Sequence, residues 1–158
     1  MSLRLRRPLL VAAVAAVGIA AVPVAVRAQA DCDRACKVAV AQSYIDALAT
    51  HDSSKVPFTD DVKRIENLGV TAMGAERLHR DLDHGAQYKI IKATRDERFV
   101  VEGDDVVAFY LSDVVPVPGG PQIATSPIAE RFRIQGGKIS QIEAVFGVSP
   151  GRTRQAWR

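Results

Sequence analysis

One carboxylate in the second half of the chain lies on an apolar face and could do acid–base chemistry. Side chains of a β-strand alternate between two faces, so Glu130 shares a face with Ile128, Phe132 and Ile134. If that face lines a cavity, loss of water would raise the pKa of Glu130 and could keep the carboxyl neutral as a hydrogen-bond donor. The alternative is a surface ion pair with a lysine or arginine of a neighbouring strand.

The histidines do not have the spacing of a metal site. His79, Asp81, Asp83 and His84 are close in sequence, but they lack the i, i+4 pair that places two ligands on one face of a helix. His51 and His84 fall in predicted turns, where we expect them to be exposed. The chain also has no glycine-rich phosphate loop and no nucleophile-elbow motif. We therefore expect neither a metal nor another cofactor.

Cys32 and Cys36 are the only cysteines, and their spacing leaves three alternatives. Residues four apart in a helix have Cα atoms about 6 Å apart, which a disulfide tolerates. Their Cβ vectors are poorly aimed, so a bridge requires a frayed first turn. Free thiols are the second alternative. Metal binding is the third, although two thiols without a nearby histidine fall short of a zinc site. Neither cysteine has a base beside it, so neither is expected to be catalytic.

Residues 1–30 have the pattern of a cleavable signal peptide. A basic head precedes an apolar run from Leu9 to Val26, and Ala28-Gln29-Ala30 is a small-x-small cleavage site before Asp31. Arg6-Arg7 resembles a twin-arginine export signal, although ordinary signals also contain paired arginines. A retained membrane anchor is the alternative, since the run nearly reaches the length of about 20 residues that spans a membrane. The sequence thus predicts a secreted, periplasmic or cell-envelope protein that touches a membrane only if the signal is uncleaved.

The net charge of +3 reflects this leader. Four of the 21 basic residues and none of the 18 acidic residues lie within the first thirty positions, so the remainder of the chain is close to neutral. A nucleic-acid partner is therefore not expected. The remaining length suits one domain, which we place at residues 31–146, with a loose polar tail over residues 147–158.

Hydrophobic periodicity predicts helices first and strands afterwards. Apolar residues at helical spacing indicate a helix over 33–50, and a second helix is predicted over 74–84 with Gly85 as its stop. A short strand is predicted over 62–66, and four longer strands over 88–102, 105–115, 123–135 and 138–146. This order indicates an α+β fold in which a curved antiparallel sheet packs against N-terminal helices and encloses an apolar cavity. A ferredoxin-like split is the rival, but it would need helices after Gly85.

Several motifs together identify a family. The residues that carry the resemblance are Gln42 to Asp52, Thr59-Asp60-Asp61-Val62, Glu66-Asn67, Gly74 at a helix start, Arg131-Phe132 and Gly137-Lys138-Ile139. They resemble the nuclear transport factor 2-like superfamily, which includes ketosteroid isomerase and the SnoaL-like polyketide cyclases. The resemblance implies a cone fold with a deep apolar cavity. Cys32-Asp33-Arg34-Ala35-Cys36 further resembles an exported subgroup of unknown function.

The resemblance also implies residue roles. The oxyanion-hole tyrosine of the isomerase pattern falls on Tyr44 and its catalytic base on Glu66, one methylene longer than the aspartate of the pattern. A tyrosine hydroxyl can stabilise an enolate, and a carboxylate can move a proton between carbons beside a carbonyl. The second oxyanion donor falls on Ile128, which departs from the pattern. A core tyrosine and a solvent-exposed strand-end glutamate are the structural alternatives.

Four further residues are candidates: His79 for catalysis, and three phenylalanines that would line the cavity together with Ile128. His79 lies on the helix that closes the cavity in the family, and Phe146 aligns with a cavity-lining aromatic of the isomerase pattern. Alternation points Phe109 and Phe132 the same way, although an aromatic core explains all three phenylalanines equally well.

These observations predict an exported domain that binds a small hydrophobic molecule. Catalysis, if present, would be cofactor-free proton transfer of the isomerase, cyclase or dehydratase type. The alternative is a non-catalytic ligand-binding or dimerisation module, and a homodimer through the sheet is compatible with either.

Overall fold

A computed structural model describes residues 32–154, so the predicted signal peptide and the last four residues lie outside the described part of the chain. The first helix, α1, spans Arg34–Thr50. Asp33 caps its start, because the Asp33 carboxylate accepts a hydrogen bond of 2.8 Å from the Cys36 N–H. The apolar residues at helical spacing form its buried face, which includes Tyr44, Ile45 and Leu48.

The two cysteines form a disulfide beside this cap, with a Cα–Cα distance of 5.2 Å. Cys36 lies in the first turn of α1, whereas Cys32 precedes the capping residue. The bridge therefore does not require the first turn to fray, since one of its two ends lies outside the helix.

The second helix, α2, spans Ala75–His84 and ends at Gly85, as predicted. The strands are β1 (Phe58–Glu66), β2 (Gly69–Met73), β3 (Ile91–Glu102), β4 (Asp105–Val114), β5 (Ala124–Gln135), β6 (Lys138–Phe146) and β7 (Ser149–Pro150). Helix α1 lies across β3 to β6, and α2 packs against β1 and β2. The fold is thus two helices on one curved sheet, and the predicted α+β class is confirmed.

The sheet has the strand order β2-β1-β6-β5-β4-β3, with β7 paired to β5. Strand β1 runs parallel to β6, whereas the other pairs are antiparallel. The sheet is therefore mixed, where the sequence predicts an antiparallel one. The hydrophobic periodicity of a strand does not show whether the neighbouring strand runs parallel or antiparallel to it. Here the neighbour of β1 lies about 80 residues further along the chain.

Strand β2 is one of two strands that the sequence does not predict, the other being β7. It forms a hairpin with β1 across Asn67 and Leu68, which have φ values of 46° and 73°. Such turns ordinarily carry glycine at the second position, and here that position is a leucine that is 95% exposed. The usual turn signal is therefore absent from the sequence.

Strand β3 begins at Ile91, three residues later than predicted, because residues 87–90 form turns. It also carries a bulge, where the register with β4 shifts between Arg95 and Arg98 and Asp96 has a φ of 58°. A bulge bends a strand, and this one helps to curve the sheet around the helices.

The segment treated as a loose tail is attached to the sheet over its described part. Ser149 and Pro150 pair with β5, and the Arg95 guanidinium donates a hydrogen bond of 2.6 Å to the Thr153 carbonyl. These bonds hold the described part of the segment against the sheet. No helix among residues 32–154 is long and apolar enough to cross a membrane.

The disulfide is expected to stabilise the start of α1 modestly. It closes a loop with a sequence separation of 4, for which loop-closure entropy gives about 2 kcal/mol. A C32S/C36S double variant should therefore lose about that much unfolding free energy in urea titrations. An intact mass two hydrogens below the reduced value checks the bridge itself. A reduced mass under oxidising conditions would contradict it.

Candidate functional site

The concave face of the sheet and α1 enclose a cavity of about 360 Å³. Ligand pockets start at about 300 Å³, so this volume suits a small molecule. Most of the wall is apolar, and polar groups are concentrated at a few positions. The lining residues are Tyr44, Leu48, Glu66, Gln87, Tyr88, Ile90, Ile91, Tyr110, Ser112, Val114, Ser126, Ile128, Glu130, Ala144, Phe146 and Val148.

Strand register places two carboxylates in one row. Ala144 of β6 pairs with Glu66 on one side and with Glu130 on the other. Glu66 and Glu130 are therefore two strand spacings apart, about 10 Å between Cα atoms. Since Ala144 is small, the space between the two glutamates belongs to the cavity.

Glu66 stands at the end of β1, as predicted, and it has two polar neighbours. The Tyr88 hydroxyl donates to its Oε1 at 3.2 Å, and Arg64 Nε lies 3.6 Å from its Oε2. Its side chain is 21% exposed. The carboxylate is thus held by two fixed groups at the cavity wall rather than extended into solvent.

Arg64 is a functional candidate that the sequence analysis misses. Its side chain is 1% exposed, and its Nη2 lies 3.0 Å from Asp81 Oδ2 of α2. Its guanidinium also lies over the Tyr88 ring, 5.2 Å from the centroid. Burial opposes the charge, but Tyr44, Tyr88 and Glu66 outweigh it and raise the pKa of Arg64. Arg64 therefore remains a cation behind Glu66.

Glu130 is buried, and its Oε2 accepts a hydrogen bond of 2.6 Å from the Tyr110 hydroxyl. Burial raises the pKa of Glu130 to about 7, and the negative charge of Glu66 adds to this effect. The Tyr110 hydrogen bond and Arg64 act in the opposite direction. The desolvated carboxyl described in the sequence analysis is thus present, and the surface ion pair is not.

Three tyrosines line the same space, and the hydroxyls of two of them, Tyr88 and Tyr110, already donate to the glutamates. Burial raises the pKa values of Tyr44, Tyr88 and Tyr110, so all three are protonated near neutral pH. Tyr44 projects from α1, and its ring packs edge-on against Phe132 with centroids 5.3 Å apart. Tyr44 therefore packs against the hydrophobic core and also lines the cavity.

The predicted residues divide into two groups. Tyr44, Glu66, Ile128, Glu130 and Phe146 line the cavity together. Their predicted chemical roles stay predictions.

The other three predicted residues do not line the cavity. His79 Nδ1 hydrogen-bonds with Ser53 Oγ at 2.7 Å, and its ring packs on Phe58. Phe132 lies in the core against Tyr44. Phe109 lies on the outer face of the sheet, because its neighbours Ala108 and Tyr110 in β4 are buried on the inner face and successive strand residues point to opposite faces. The prediction that Phe109 lines the cavity is therefore wrong, because the inward-facing positions of β4 are the residues on either side of it.

Sequence reasoning also misses Tyr88, Tyr110 and Ser112. A signal exists for Tyr110, because it alternates with Val106 and Ala108 in a strand whose inward face is apolar. Tyr88 has no such signal, since it lies in a turn before β3. Among residues 32–154 no group of three or more histidine, cysteine, aspartate or glutamate side chains could hold a metal ion.

Comparisons with known proteins give a family and a fold. Residues 30–146 match a family model described as a domain of unknown function, DUF8021. No curated protein matches the chain.

Solved structures of similar fold come from natural and designed proteins. An NTF2-like protein of unknown function from Cytophaga hutchinsonii is 18% identical, with 70% of this chain and 89% of that chain covered and a TM-score of 0.53. A SnoaL-like protein of unknown function from Burkholderia thailandensis is 13% identical, with 73% and 97% covered and a TM-score of 0.55. A designed protein with a curved β-sheet is 14% identical, with 73% and 88% covered and a TM-score of 0.59. The predicted NTF2-like fold is confirmed.

The raised pKa of Glu130 makes stability depend on pH. The carboxyl binds its proton more tightly in the folded chain, at a pKa of about 7 against the ordinary 4.5. Its contribution is therefore complete below about pH 4.5 and is lost as pH rises through about 7. Between about pH 5 and pH 8 the wild type should lose about 2–3 kcal/mol of unfolding free energy relative to Glu130→Gln, which cannot ionise. Urea titrations of both proteins measure this difference, and parallel pH profiles would contradict it.

Proposed function

The chain belongs to the family described as a domain of unknown function, DUF8021, and because that description names no activity we propose a function from the cavity. The protein is an exported domain that binds a small, largely apolar molecule and catalyses cofactor-free proton transfer, in the manner of an isomerase, cyclase or dehydratase. One observation carries this proposal: Glu66, Glu130 and Tyr44 line the same apolar cavity.

The base in this mechanism is Glu66. It removes a proton from a carbon next to a substrate carbonyl, and the electrons of that C–H bond form the double bond of an enolate. The same carboxyl then returns the proton to another carbon of the conjugated system. Arg64 and Tyr88 keep the carboxylate in place through the contacts at 3.6 and 3.2 Å, so little reorganisation is needed during the transfer.

The negative charge that develops on the substrate oxygen is stabilised by Tyr44 and by protonated Glu130. Both are buried, and hydrogen bonds to a developing oxyanion are stronger in a water-poor site than in solution. A neutral Glu130 donates, whereas an ionised Glu130 would repel the enolate. Glu130 thus takes the role that the isomerase pattern assigns to the position of Ile128, from two residues further along the same strand.

Export is part of the proposal and rests on the sequence of residues 1–30 together with the disulfide. A Cys32–Cys36 bridge is chemically stable in an oxidising compartment. The predicted mature chain begins at Asp31, one residue before this bridge.

A non-catalytic binding or dimerisation module is the second candidate, and exposed apolar side chains favour it. Val70 and Met73 of β2 are 56% and 66% exposed, and Val145 of β6 is 63% exposed. A second copy could cover these side chains. Binding without proton exchange would support this candidate.

Loss of the base should slow proton exchange. We expect wild type to catalyse deuterium exchange into at least one of a panel of cyclic ketones, and Glu66→Gln to be slower by a factor on the order of a hundred or more. Glu102→Gln is the matched control, since Glu102 is exposed at the end of β3. NMR measures the exchange. Equal rates for wild type and Glu66→Gln would remove Glu66 from the mechanism.

The rate of exchange should also fall at alkaline pH. Glu130 has a pKa of about 7, so the donor is lost as pH rises through that value. The enzymatic kcat/KM, corrected for the rate in buffer, should decline above about pH 7 in wild type. Glu130→Gln retains an N–H donor at all pH values and should lack this decline. A decline of equal size in Glu130→Gln would assign the titration to another group.

A further inference from the structure

The cavity has a second polar end, away from the two glutamates. Ser112 of β4 pairs with Ser126 of β5. Ser126 lies four residues before Glu130, which is about 13 Å along a strand. Both serines line the cavity, and Tyr110 and Ile128 lie in the row between them and the glutamates.

The two serine hydroxyls differ in how they are satisfied. Ser126 Oγ donates to the Gly147 carbonyl at 2.7 Å. Ser112 is 1% exposed, and its Oγ is buried with no hydrogen-bond partner among the described residues. A buried hydroxyl without a partner costs free energy, and such groups in folded proteins call for an explanation. Because Ser112 lines a cavity of about 360 Å³, a bound molecule can supply the missing partner after rotation of the serine side chain about χ1.

The charges around the cavity restrict that molecule. Glu66 is paired with Arg64, and Arg64 is further paired with Asp81. No described lining residue is a lysine or an arginine, so an anionic ligand would meet carboxyl groups without a cation in the wall. The positions between the two ends are mainly apolar. The ligand that fits is uncharged, with an apolar skeleton.

We propose that Ser112 is a specificity subsite and that the ligand is a neutral molecule with two polar ends. This inference rests on the proposed function and adds the substrate class. One end, a carbonyl or hydroxyl, lies between Tyr44 and Glu130. The other end carries a hydroxyl or carbonyl that hydrogen-bonds with Ser112.

Matched pairs of probes test the subsite. One pair is para-phenylphenol and its symmetrical diol, para,para′-biphenol. The other is β-naphthol and the naphthalenediol that carries a second hydroxyl on the far ring. Within each pair only the second polar end differs. Calorimetry or fluorescence quenching at about pH 6, where Glu130 keeps its proton, measures the four dissociation constants.

In wild type we expect at least one diol to bind about five- to tenfold more tightly than its mono-hydroxyl partner, the value of one hydrogen bond. Ser112→Ala should reduce this ratio to about two, the statistical advantage of a symmetrical diol that can bind in either direction, by weakening the diol alone. Thr59→Val is the matched control, because Thr59 Oγ1 is also buried without a described partner but Thr59 does not line the cavity. The ratio should survive in that variant. Ser112→Cys keeps the size with a weaker donor and should give an intermediate ratio.

The outcomes distinguish the two proposals. If the probes bind wild type but the diols gain nothing, or if Ser112→Ala keeps the preference, the Ser112 subsite is wrong and the binding cavity stands. Loss of the preference in Thr59→Val as well would assign the effect to general stability and would also overturn the subsite. If none of the four probes binds wild type, both the subsite and the proposed apolar ligand fail.

Discussion

The burial of one positive charge organises this cavity. Arg64 lies on the inner face of β1 with a side chain that is 1% exposed, and an unpaired charge in such a place would cost several kcal/mol. The surrounding elements therefore supply its partners: Asp81 from α2, Glu66 from the end of β1, and the ring of Tyr88 from the turn before β3. Arg64 thereby links β1 to α2 and to the turn before β3.

The same constraint places the catalytic candidates. Glu66 cannot turn far from the cavity without leaving Arg64, and Tyr88 covers Arg64 while it donates to Glu66. Glu130, on the far side of Ala144, has a tyrosine as its hydrogen-bond partner instead of a cation. The two carboxyls in one row thus have different environments, and burial raises the pKa of Glu130.

The cone itself does not select a reaction. A designed protein shares the fold with a TM-score of 0.59, alongside natural proteins of unknown function. A curved sheet and two helices therefore provide an enclosed space, while function depends on the few polar groups that line it. In this chain those groups include one cluster of tyrosines and glutamates and, at the other end, Ser112 and Ser126.

Much of the fold follows from local patterns in the sequence. Helical spacing sets the buried face of α1, Gly85 ends α2, and the bounds of β6 agree residue by residue. Alternation within β5 also establishes that Glu130 lies on an apolar face. The family resemblance adds Tyr44 and Glu66, which do line the cavity.

Only the tertiary structure decides the remainder, because it depends on contacts between residues far apart in the chain. The parallel pairing of β1 with β6 brings Glu66 and Glu130 to either side of Ala144. In the sequence Arg64 is an ordinary strand arginine, and only the packing of α2 on β1 pairs it with Asp81. The burial pattern of β4 likewise shows that Phe109 faces outward and Tyr110 inward. Sequence periodicity determined which residues share a face of each element. Which faces meet, and therefore which charges lose their water, depended on packing between elements.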